Sequence, residues 1–421
     1  MMHSVQRIGI LAVALLLFCG MTGTVYGDSL ILLWKVHSQD DQPVSGITIA
    51  DDGSRVLAGG GQLAVFSRSG DRLWGGNVGA IAAMSGDGKY VVTAIDRNVL
   101  LLDNGGVNVW TRTMGAPVSN VAISKNGSLV VAMDTSGYIS TWDLSGWSNG
   151  TLKIEPAKNM VLSPTADLIV VTTDSGLRYV NSLPALLWKD NRSDSLDLYS
   201  AFTSDGSTIY TAGGKRVSSH TKDGTLNWQK MVTDEDITSL ACSDDGQTVV
   251  VGSQDANVYA LDSRGNTHTK FKTGEWVNAV ALSRDGTLIA AVSVDRSLSL
   301  LTRTGQVQTT IRTDSIVQPR SLAISADKTC LVAADPSTIY AYTIQPGAIL
   351  ADETAPPRLI TTRITPVTTA TQQVTTAEAS PVITVTEEIP TTAATTKKSP
   401  VSLVTGICAI AMVLVLVRRT G

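Results

Sequence analysis

Cysteine, glutamate and aromatic residues are scarce in this chain of 421 residues. Its four cysteines are too few for a disulfide scaffold, and no pair of cysteines or histidines has the close spacing of a zinc site. The 33 Lys+Arg and 37 Asp+Glu leave a formal net charge of -4, without the positive field that holds nucleic acid. We therefore expect no nucleic-acid partner. With 43% hydrophobic residues, the chain can still bury a core.

The acidic residues are unevenly divided, with 30 Asp and 7 Glu. The short Asp side chain bonds to nearby backbone N–H groups in turns, whereas Glu favours helices. The ratio predicts many tight turns and few helices.

Residues 1–27 have the pattern of a secretory signal. Arg7 precedes an apolar run from Ile8 to Phe18, and small residues lead to Gly27. We predict cleavage after Gly27 and a mature chain outside the cytoplasm. Cys19 suggests a lipoprotein, but Phe18 stands where a lipobox needs a small residue. An uncleaved anchor is a further alternative.

The other end carries an uncharged segment, Val401 to Val417, followed by Arg418 and Arg419. Its 17 residues would form a helix of about 25 Å, short but sufficient for a tilted span. We predict one transmembrane helix at 401–417 and a cytoplasmic tail at 418–421, since the signal places the preceding domain outside. A buried core helix and a sorting signal trimmed after export are the alternatives.

Residues 351–400 contain 15 Thr and 6 Pro, without Gly or aromatic residues. Such a segment cannot bury enough apolar area to offset its ordering entropy. The composition predicts a disordered stalk, either carrying O-linked sugar or unmodified.

Residues 28–350 repeat one motif, in which a short apolar run leads to Ser, one further residue, then Asp-Gly or a variant. The motif recurs at intervals of 35 to 42 residues, so the region contains eight units. The fourth residues of the motif are Gly53, Gly88, Gly127, Ala166, Gly206, Gly246, Gly286 and Lys328.

Each unit has the periodicity of β-strands. In one unit, strands are predicted at Val277 to Leu282, Leu288 to Val292 and Ser297 to Leu301, and a fourth follows Gly305. Gly suits the first hairpin because it accepts positive φ. Where Ala166 and Lys328 replace it, a longer or different turn is expected.

The fourth strand carries a Gly-x-x-x-Trp marker. It occurs at Trp74, Trp110 and Trp228, with Pro replacing Gly before Trp188. Leu32-Leu33-Trp34-Lys35 is identical to Leu186-Leu187-Trp188-Lys189, so Trp34 belongs to a fourth strand as well. We predict that these Trp side chains are structural and lock each sheet onto its neighbour.

Four-stranded units of about 40 residues are typical of a β-propeller. We predict an all-β, eight-bladed β-propeller closed by the N-terminal strand, followed by the disordered stalk and one C-terminal transmembrane helix. Residues 30–36 would complete the last blade, because the eighth unit lacks a marker Trp.

The units resemble two propeller families. Gly252 to Asp262 resembles the hairpin of a WD repeat, and Trp142-Asp143 supplies a Trp-Asp pair. Ala260 to Gly265 and the Gly-x-x-x-Trp strands resemble the pyrroloquinoline-quinone (PQQ) repeat of quinoprotein alcohol dehydrogenases. The resemblance covers residues 30–350 and implies architecture more than function.

The quinoprotein resemblance implies a cofactor held against a disulfide between adjacent cysteines, with calcium nearby. This chain has no adjacent cysteine pair, and Cys242 and Cys330 fall in predicted strands as small core residues. We therefore predict no cofactor, no metal site and no catalytic residues.

Other titratable groups also favour structural roles. His37, His220 and His268 lie in different units and are expected to be isolated surface residues. An aspartate follows the second strand in six units and should cap the next hairpin, at Asp96, Asp134, Asp174, Asp255, Asp295 and Asp335. The innermost strands predict a channel wall that is small and neutral.

Three Asn-x-Ser/Thr sites are candidates for N-glycosylation, at Asn126, Asn149 and Asn191, with Asn149 placed in a Ser145 to Gly150 loop. Asp190 to Asp197 faintly suggests a calcium loop, but Arg192 stands where a ligand is needed, so a solvated connector is favoured.

Trp147 and Trp276 stand outside the marker position and are the candidates for a binding face, with packing between loops as the alternative. The whole resembles membrane-anchored cell-surface propeller proteins of archaea, especially methanogens. This implies a non-catalytic binding or scaffold module at the cell surface, with a protein or envelope partner. The alternatives are a propeller enzyme with a site at the channel mouth, and an envelope-assembly factor that binds partners by strand addition.

Overall fold

A computed structural model describes residues 28–37, 43–76, 79, 81–155, 157–190 and 198–346. The predicted signal, stalk, membrane segment and tail, together with Asn191, lie outside the described residues. The described part of the chain contains 32 strands in eight four-stranded antiparallel sheets. Within it, no helix has the length and apolar character needed to cross a membrane.

The first four sheets in chain order follow the predicted units. Blade 1 contains β2 (Val44–Ile49), β3 (Arg55–Gly60), β4 (Leu63–Ser67) and β5 (Arg72–Gly76). Blade 2 contains β6 (Ile81–Met84), β7 (Tyr90–Ile95), β8 (Asn98–Asp103) and β9 (Asn108–Thr113). Blade 3 contains β10 (Val118–Ile123), β11 (Leu129–Asp134), β12 (Tyr138–Asp143) and β13 (Ser148–Lys153). Blade 4 contains β14 (Ala157–Leu162), β15 (Leu168–Thr173), β16 (Gly176–Asn181) and β17 (Leu186–Asp190).

The remaining sheets repeat the order, except that the last one takes its fourth strand from the N-terminal side. Blade 5 contains β18 (Leu198–Phe202), β19 (Thr208–Gly213), β20 (Arg216–Thr221) and β21 (Leu226–Met231). Blade 6 contains β22 (Ile237–Cys242), β23 (Val249–Ser253), β24 (Asn257–Leu261) and β25 (Thr267–Lys272). Blade 7 contains β26 (Val277–Leu282), β27 (Leu288–Ser293), β28 (Ser297–Thr302) and β29 (Val307–Arg312). Blade 8 contains β30 (Leu322–Ile324), β31 (Cys330–Ala334), β32 (Thr338–Gln345) and β1 (Ser29–His37).

The sheets form a closed ring, because a buried apolar cluster joins each sheet to the next. Val332 of blade 8, for example, packs with Trp34 and with Val56 of blade 1. The described residues contain eight such clusters, and the one that includes Ala290 and Leu331 joins blade 7 to blade 8. First strands of successive blades contact one another closely at seven of the eight junctions, all but that of β14 and β18, so they surround the central axis. The predicted eight-bladed propeller is confirmed.

Because neighbouring strands run antiparallel, the loops divide between two faces. Loops joining first to second and third to fourth strands lie at one face, which we call the turn face. Loops joining second to third strands, and connectors between blades, lie at the opposite connector face. Ser29 of β1 pairs with Gln345 of β32. The propeller therefore begins and ends at the turn face.

The repeated motif forms a hydrogen-bonded turn at the turn face. In blade 6, Ser243 Oγ donates to Asp245 Oδ1 at 2.6 Å and accepts the Thr248 N–H at 3.0 Å. Gly246 occupies the left-handed position with φ 67°. Five other units repeat the Ser or Thr bonds, with Asn126 replacing aspartate in one of them.

The prediction of a different turn at Ala166 and Lys328 is wrong. Ala166 and Lys328 adopt the left-handed conformation themselves, with φ 64° and 58°. Both residues donate their backbone N–H to the motif serine carbonyl at 3.0 Å, as Gly246 does. The surrounding hydrogen bonds fix the turn strongly enough to impose a backbone conformation that L residues disfavour.

The Gly-x-x-x-Trp marker joins adjacent blades. Trp228 of blade 5 donates its indole N–H to Ser263 O of blade 6 at 2.8 Å. A Cβ on Gly265 would lie only 2.7 Å from the same ring. Gly265 occupies the glycine position of the marker in blade 6, where Thr269 replaces the tryptophan. The marker glycines Gly70, Gly106 and Gly224 make the same room for a tryptophan of the preceding blade. Equivalent indole bonds come from Trp34, Trp74, Trp110 and Trp188.

Candidate binding cavity at the connector face

One position of the repeat lies at the axis, where each first strand begins at the connector face. It is the fifth residue before the first residue of the motif, and we call it the mouth position. In the described residues it is occupied by Ser45, Ser119, Lys158, Thr238, Asn278 and Arg320, and the sequence of the second and fifth units has Ala80 and Leu198 there. In an otherwise apolar strand, six of these eight residues are polar.

The backbone is irregular at the mouth position. The pairing of first and second strands shifts register there in five blades, at Ser45, Ser119, Lys158, Thr238 and Asn278. Such a β-bulge leaves one residue unpaired and redirects its side chain. The mouth residues are thus released from the side-chain alternation that buries their neighbours.

Several mouth side chains bind the adjacent first strand or the connector before it. Thr238 Oγ1 donates to Val277 O at 2.5 Å, and Asn278 Nδ2 donates to Val317 O at 2.9 Å. These bonds hold blades 6, 7 and 8 together at the axis. In blades 1 and 3 the mouth serines bond within their own blade, Ser45 Oγ to Gly59 O at 3.4 Å and Ser119 Oγ to Met133 O at 3.1 Å.

A cavity of about 380 Å³ lies between Arg320, just before blade 8, and the first strands of blades 1, 2 and 3. This is near the lower end of the range of small-molecule sites, about 300–1,000 Å³. Its polar lining includes Ser45, Thr48, Ser119, Asn120 and Arg320. Its apolar lining includes Ile47, Leu57, Ile81 and Val121.

Gly46 keeps the cavity open. A Cβ placed on Gly46 would meet nothing within 4 Å, although the residue belongs to β2 and lines the cavity. Its φ is not in the left-handed range, so a larger side chain would fit the backbone there. The cavity can consequently be filled by substitution at Gly46 without a clash at Cβ.

Arg320 provides the positive charge of the cavity. It follows Pro319 in a turn closed by the Ser321 N–H and Gln318 O at 3.1 Å. Proline at the second position and positive φ at the third are typical of a type II turn, in which glycine is favoured at the third position. Arg320 stands there with φ 64°, a conformation that costs a non-glycine residue about 1–2 kcal/mol.

The surroundings fix Arg320 without neutralising it. Its carbonyl accepts the Ile47 N–H at 3.3 Å, which ties the turn to blade 1. Arg320 is exposed, and none of the ion pairs among the described residues includes it. The cavity is thus lined by residues that carry hydroxyl, amide and guanidinium groups together with apolar residues.

At the opposite end of the channel there are charged residues and hydrogen bonds that join neighbouring blades. The residue after the motif serine donates its N–H to its counterpart in the next blade, as Asp244 does to Arg284 O at 2.8 Å. Five such bonds are present in the described residues, including Ala326 N to Asp51 O across the closure, and we call them the turn ring. Arg284 pairs with Asp51 and lies 4.0 Å from Asp244.

The prediction of a small, neutral channel wall therefore needs correction at both ends. The side chains of the first strands are small and neutral near the middle of the channel. Charge comes from Arg320 at the connector face and from Asp51, Asp244 and Arg284 at the turn face. Hairpin turns and blade connectors supply these residues, so the strand pattern alone did not reveal them.

Four of the six aspartates after second strands cap the following hairpin. Asp134, Asp255, Asp295 and Asp335 each accept a backbone N–H two residues later, at 2.8–3.0 Å. Asp96 has φ 51°, and Asp174 pairs with Lys158 at 2.8 Å.

Both cysteines outside the predicted signal and span are free thiols. Burial raises the pKa of Cys242 to about 12 and that of Cys330 to about 11. His220 is buried, with its Nε2 3.6 Å from Asp190 Oδ2, so the expectation of a surface histidine is wrong there. In the described residues, no three side chains of His, Cys, Asp or Glu are grouped closely enough to bind a metal ion.

Trp147 and Trp276 are both exposed, by 77% and 52%. Trp147 lies between β12 and β13 at the turn face, whereas Trp276 precedes β26 at the connector face. The two side chains cannot form one binding face. Trp276 shares its face with the cavity.

Two candidate glycosylation sites are described. Asn126 is exposed, but its Oδ1 accepts bonds from Ser124 Oγ and Ser128 N within the motif turn. Asn149 is exposed and belongs to β13, not to the loop predicted for it. It falls where the pairing of β12 and β13 shifts register.

The sequence analysis did not identify Arg320. A signal was present, because aligning the units on the motif serine reveals the polar mouth position within an apolar strand. The Pro319-Arg320 step also marks a turn before β30, but sequence alone does not show that Arg320 takes a position favouring glycine.

Comparison with known proteins supports the architecture. A family model described as beta-propeller protein matches residues 195–341. No curated protein sequence matches the chain.

A chain in the solved structure titled "Crystal Structure of Mitotic Checkpoint Complex" is similar, with a TM-score of 0.52 and 16% sequence identity. The match covers 62% of this chain and 86% of that chain. At this identity the likeness shows the fold alone.

Proposed function

We propose that this β-propeller protein is a non-catalytic binding or scaffold module of the cell surface. The propeller would stand outside the cytoplasm, on the stalk at 351–400 and the membrane helix at 401–417, with WD-like and PQQ-like repeats as its framework. A protein or another envelope component would be its partner.

The position of the cavity relative to the chain termini of the propeller carries this proposal. The propeller begins at β1 and ends at β32 on the turn face, and the cavity lies on the connector face. A tether leaving from the turn face would not cover the cavity. The rigid ring would hold that face open to a partner.

Cross-linking on intact cells, followed by identification of the proteins joined to the full-length chain, tests the proposal. Trp276→Ser and Trp147→Ser form a matched pair, because both remove an exposed indole but on opposite faces. We expect one defined partner to be lost with Trp276→Ser and kept with Trp147→Ser. A partner set unchanged by both substitutions would contradict the proposed face.

The enzyme alternative predicts a bound group. Stoichiometric quinone absorbance or calcium in the purified full-length chain would defeat the non-catalytic proposal. Protease treatment of intact cells tests the location, since only an external propeller is cut.

The envelope-assembly alternative is favoured by exposed apolar residues on outer strands, such as Leu187 and Leu226, which are 50% and 52% exposed. An outer strand also has a free edge that can pair with a strand of a partner. Replacing both leucines with Lys would abolish partner capture if strand addition is the mode. It would leave capture intact if the connector face binds.

A further inference from the structure

The residues that line the cavity carry charge of one sign only. Its lining contains one cation, Arg320, and no Asp or Glu. Hydroxyl and amide groups from Ser45, Ser119 and Asn120 lie on the same lining, and Ile47, Leu57, Ile81 and Val121 supply an apolar side. A ligand that fits both parts has a negatively charged end and a short apolar body.

The backbone of Arg320 supports a binding role. A type II turn at residues 318–321 would be less strained with glycine at position 320. Strain of this kind persists where the surrounding structure enforces it, and it concentrates at sites of function. Here the strained residue also lines the cavity, and its guanidinium has no ion-pair partner among the described residues.

We propose that the cavity binds a carboxylate attached to a small apolar group, with the carboxylate on Arg320. The planar guanidinium matches a carboxylate in a two-bonded arrangement, which is stronger and more directional than a bond between neutral groups. The apolar side of the cavity takes the body of the ligand. The inference rests on the proposed function, because it treats the cavity as the binding site.

Two sources present this chemistry, a free branched-chain acid and the C-terminal residue of a polypeptide. Calorimetric titration of the purified full-length chain with 3-methylbutanoate and with N-acetyl-L-leucine distinguishes them. Tighter binding of N-acetyl-L-leucine identifies a chain terminus as the ligand, and the reverse order identifies a free acid.

The uncharged amides of both probes are matched controls, since they keep the shape and lose the charge. We expect the amides to bind at least about tenfold more weakly, as the loss of a charge-assisted hydrogen bond implies. Binding of the acids should also weaken with added salt, because Arg320 is exposed.

Substitutions locate the effect. Arg320→Gln should remove the preference for acid over amide, and Gly46→Leu should block both probes by filling the cavity. Arg296 provides a control, because it also has positive φ, 69°, but does not line the cavity. Arg320→Gly and Arg296→Gly should both raise the melting temperature, and only the first should remove the preference for acid over amide.

Equal affinity for acid and amide, or an unchanged preference in Arg320→Gln, would overturn the inference. So would the absence of binding of either acid at concentrations on the order of 10 mM, or binding of inorganic phosphate at Arg320 as tight as that of the carboxylates. If these results occur while the connector-face partner is still cross-linked, the proposed function stands and only the ligand class fails.

Discussion

At the residue scale, the repeat turn requires one left-handed residue, and six of the eight units supply glycine. Ala166→Gly should relieve the strain at the fourth unit. Part of the gain is lost to the greater chain entropy of glycine when unfolded, so we expect an increase of about 0.5–1 kcal/mol in the free energy of unfolding. Denaturant titration measures it.

Lys328→Gly is the control for that change. It relieves the same strain but removes the Lys328 Nζ to Asp285 Oδ2 pair at 2.6 Å, so its gain should be smaller than that of Ala166→Gly. A larger gain in stability from Lys328→Gly than from Ala166→Gly would contradict this explanation.

The motif serine gives a second prediction at this scale. Ser243→Ala removes a donor to Asp245 and leaves the buried Thr248 N–H without its acceptor. The expected loss is about 1–3 kcal/mol of unfolding free energy. The first unit has Ala50 at this position, and Ala50→Ser should stabilise the protein. If both substitutions raised, or both lowered, the free energy of unfolding, the stabilising role of the motif serine would be contradicted.

The turn aspartates predict a pH dependence. The hydrogen bond from Ser243, with the Gln247 N–H, lowers the pKa of Asp245, and Thr203 with Ser207 lowers that of Asp205. A lowered folded pKa adds stability above the unfolded value of 3.8, and this stability is lost as the pH falls through the folded value.

Thermal melts between pH 5 and pH 2 test this dependence. Asp245→Asn keeps the acceptor but cannot titrate, and the third unit already uses Asn126 at this position. We expect the variant to lose less stability than wild type over that range. An equal loss would exclude Asp245 as a contributor.

At the scale of the element, the lock between blades depends on the glycine of the marker. Gly265→Ala puts a Cβ 2.7 Å from Trp228 and a side chain at φ 74°. We expect a loss of about 2 kcal/mol or more, since overpacking and left-handed strain add. Gly115→Ala, which meets nothing within 4 Å, should change stability by less than about 0.5 kcal/mol. Comparable losses in both variants would contradict the packing argument.

The strands themselves were predictable because each has a short apolar run bounded by turn residues. The variant turns were not, since residue type alone indicated a break at Ala166 while the bonds of Ser163 and Asp167 preserve the turn. Hydrogen bonds that close over four or five residues can override a local conformational preference, and sequence patterns do not weigh the two.

At the scale of the whole molecule, β1 joins the two ends of the ring. Trp34 is 1% exposed and packs between blades 8 and 1. Trp34→Ala should cost about 3–5 kcal/mol, and deletion of residues 32–36 should abolish the single cooperative melt. Trp147→Ala, at an exposed site, is the control with no expected change. An unchanged melt after the deletion would contradict closure by β1.

The ring and its closure could be predicted from the sequence by counting the repeat units, but the cavity could not. The cavity is lined in part by the mouth residues, five positions before the motif. These residues come together only when the first strands are arranged around the axis. Arg320 occupies the mouth position of the eighth unit, but its left-handed backbone and its place in the cavity lining required coordinates.

The turn ring has a weak point at the fourth unit. Pro164 occupies the position whose N–H would bridge to blade 5, and proline has none to give. Among the described residues the bond is also missing between blades 3 and 4 and between blades 7 and 8, but the first strands there are in closer contact than β14 and β18. We therefore expect a propeller opened by heat or force to part first between blades 4 and 5. Amide hydrogen exchange on heating should then show faster deuterium uptake in β14 and β18 than in the first strands of the other blades.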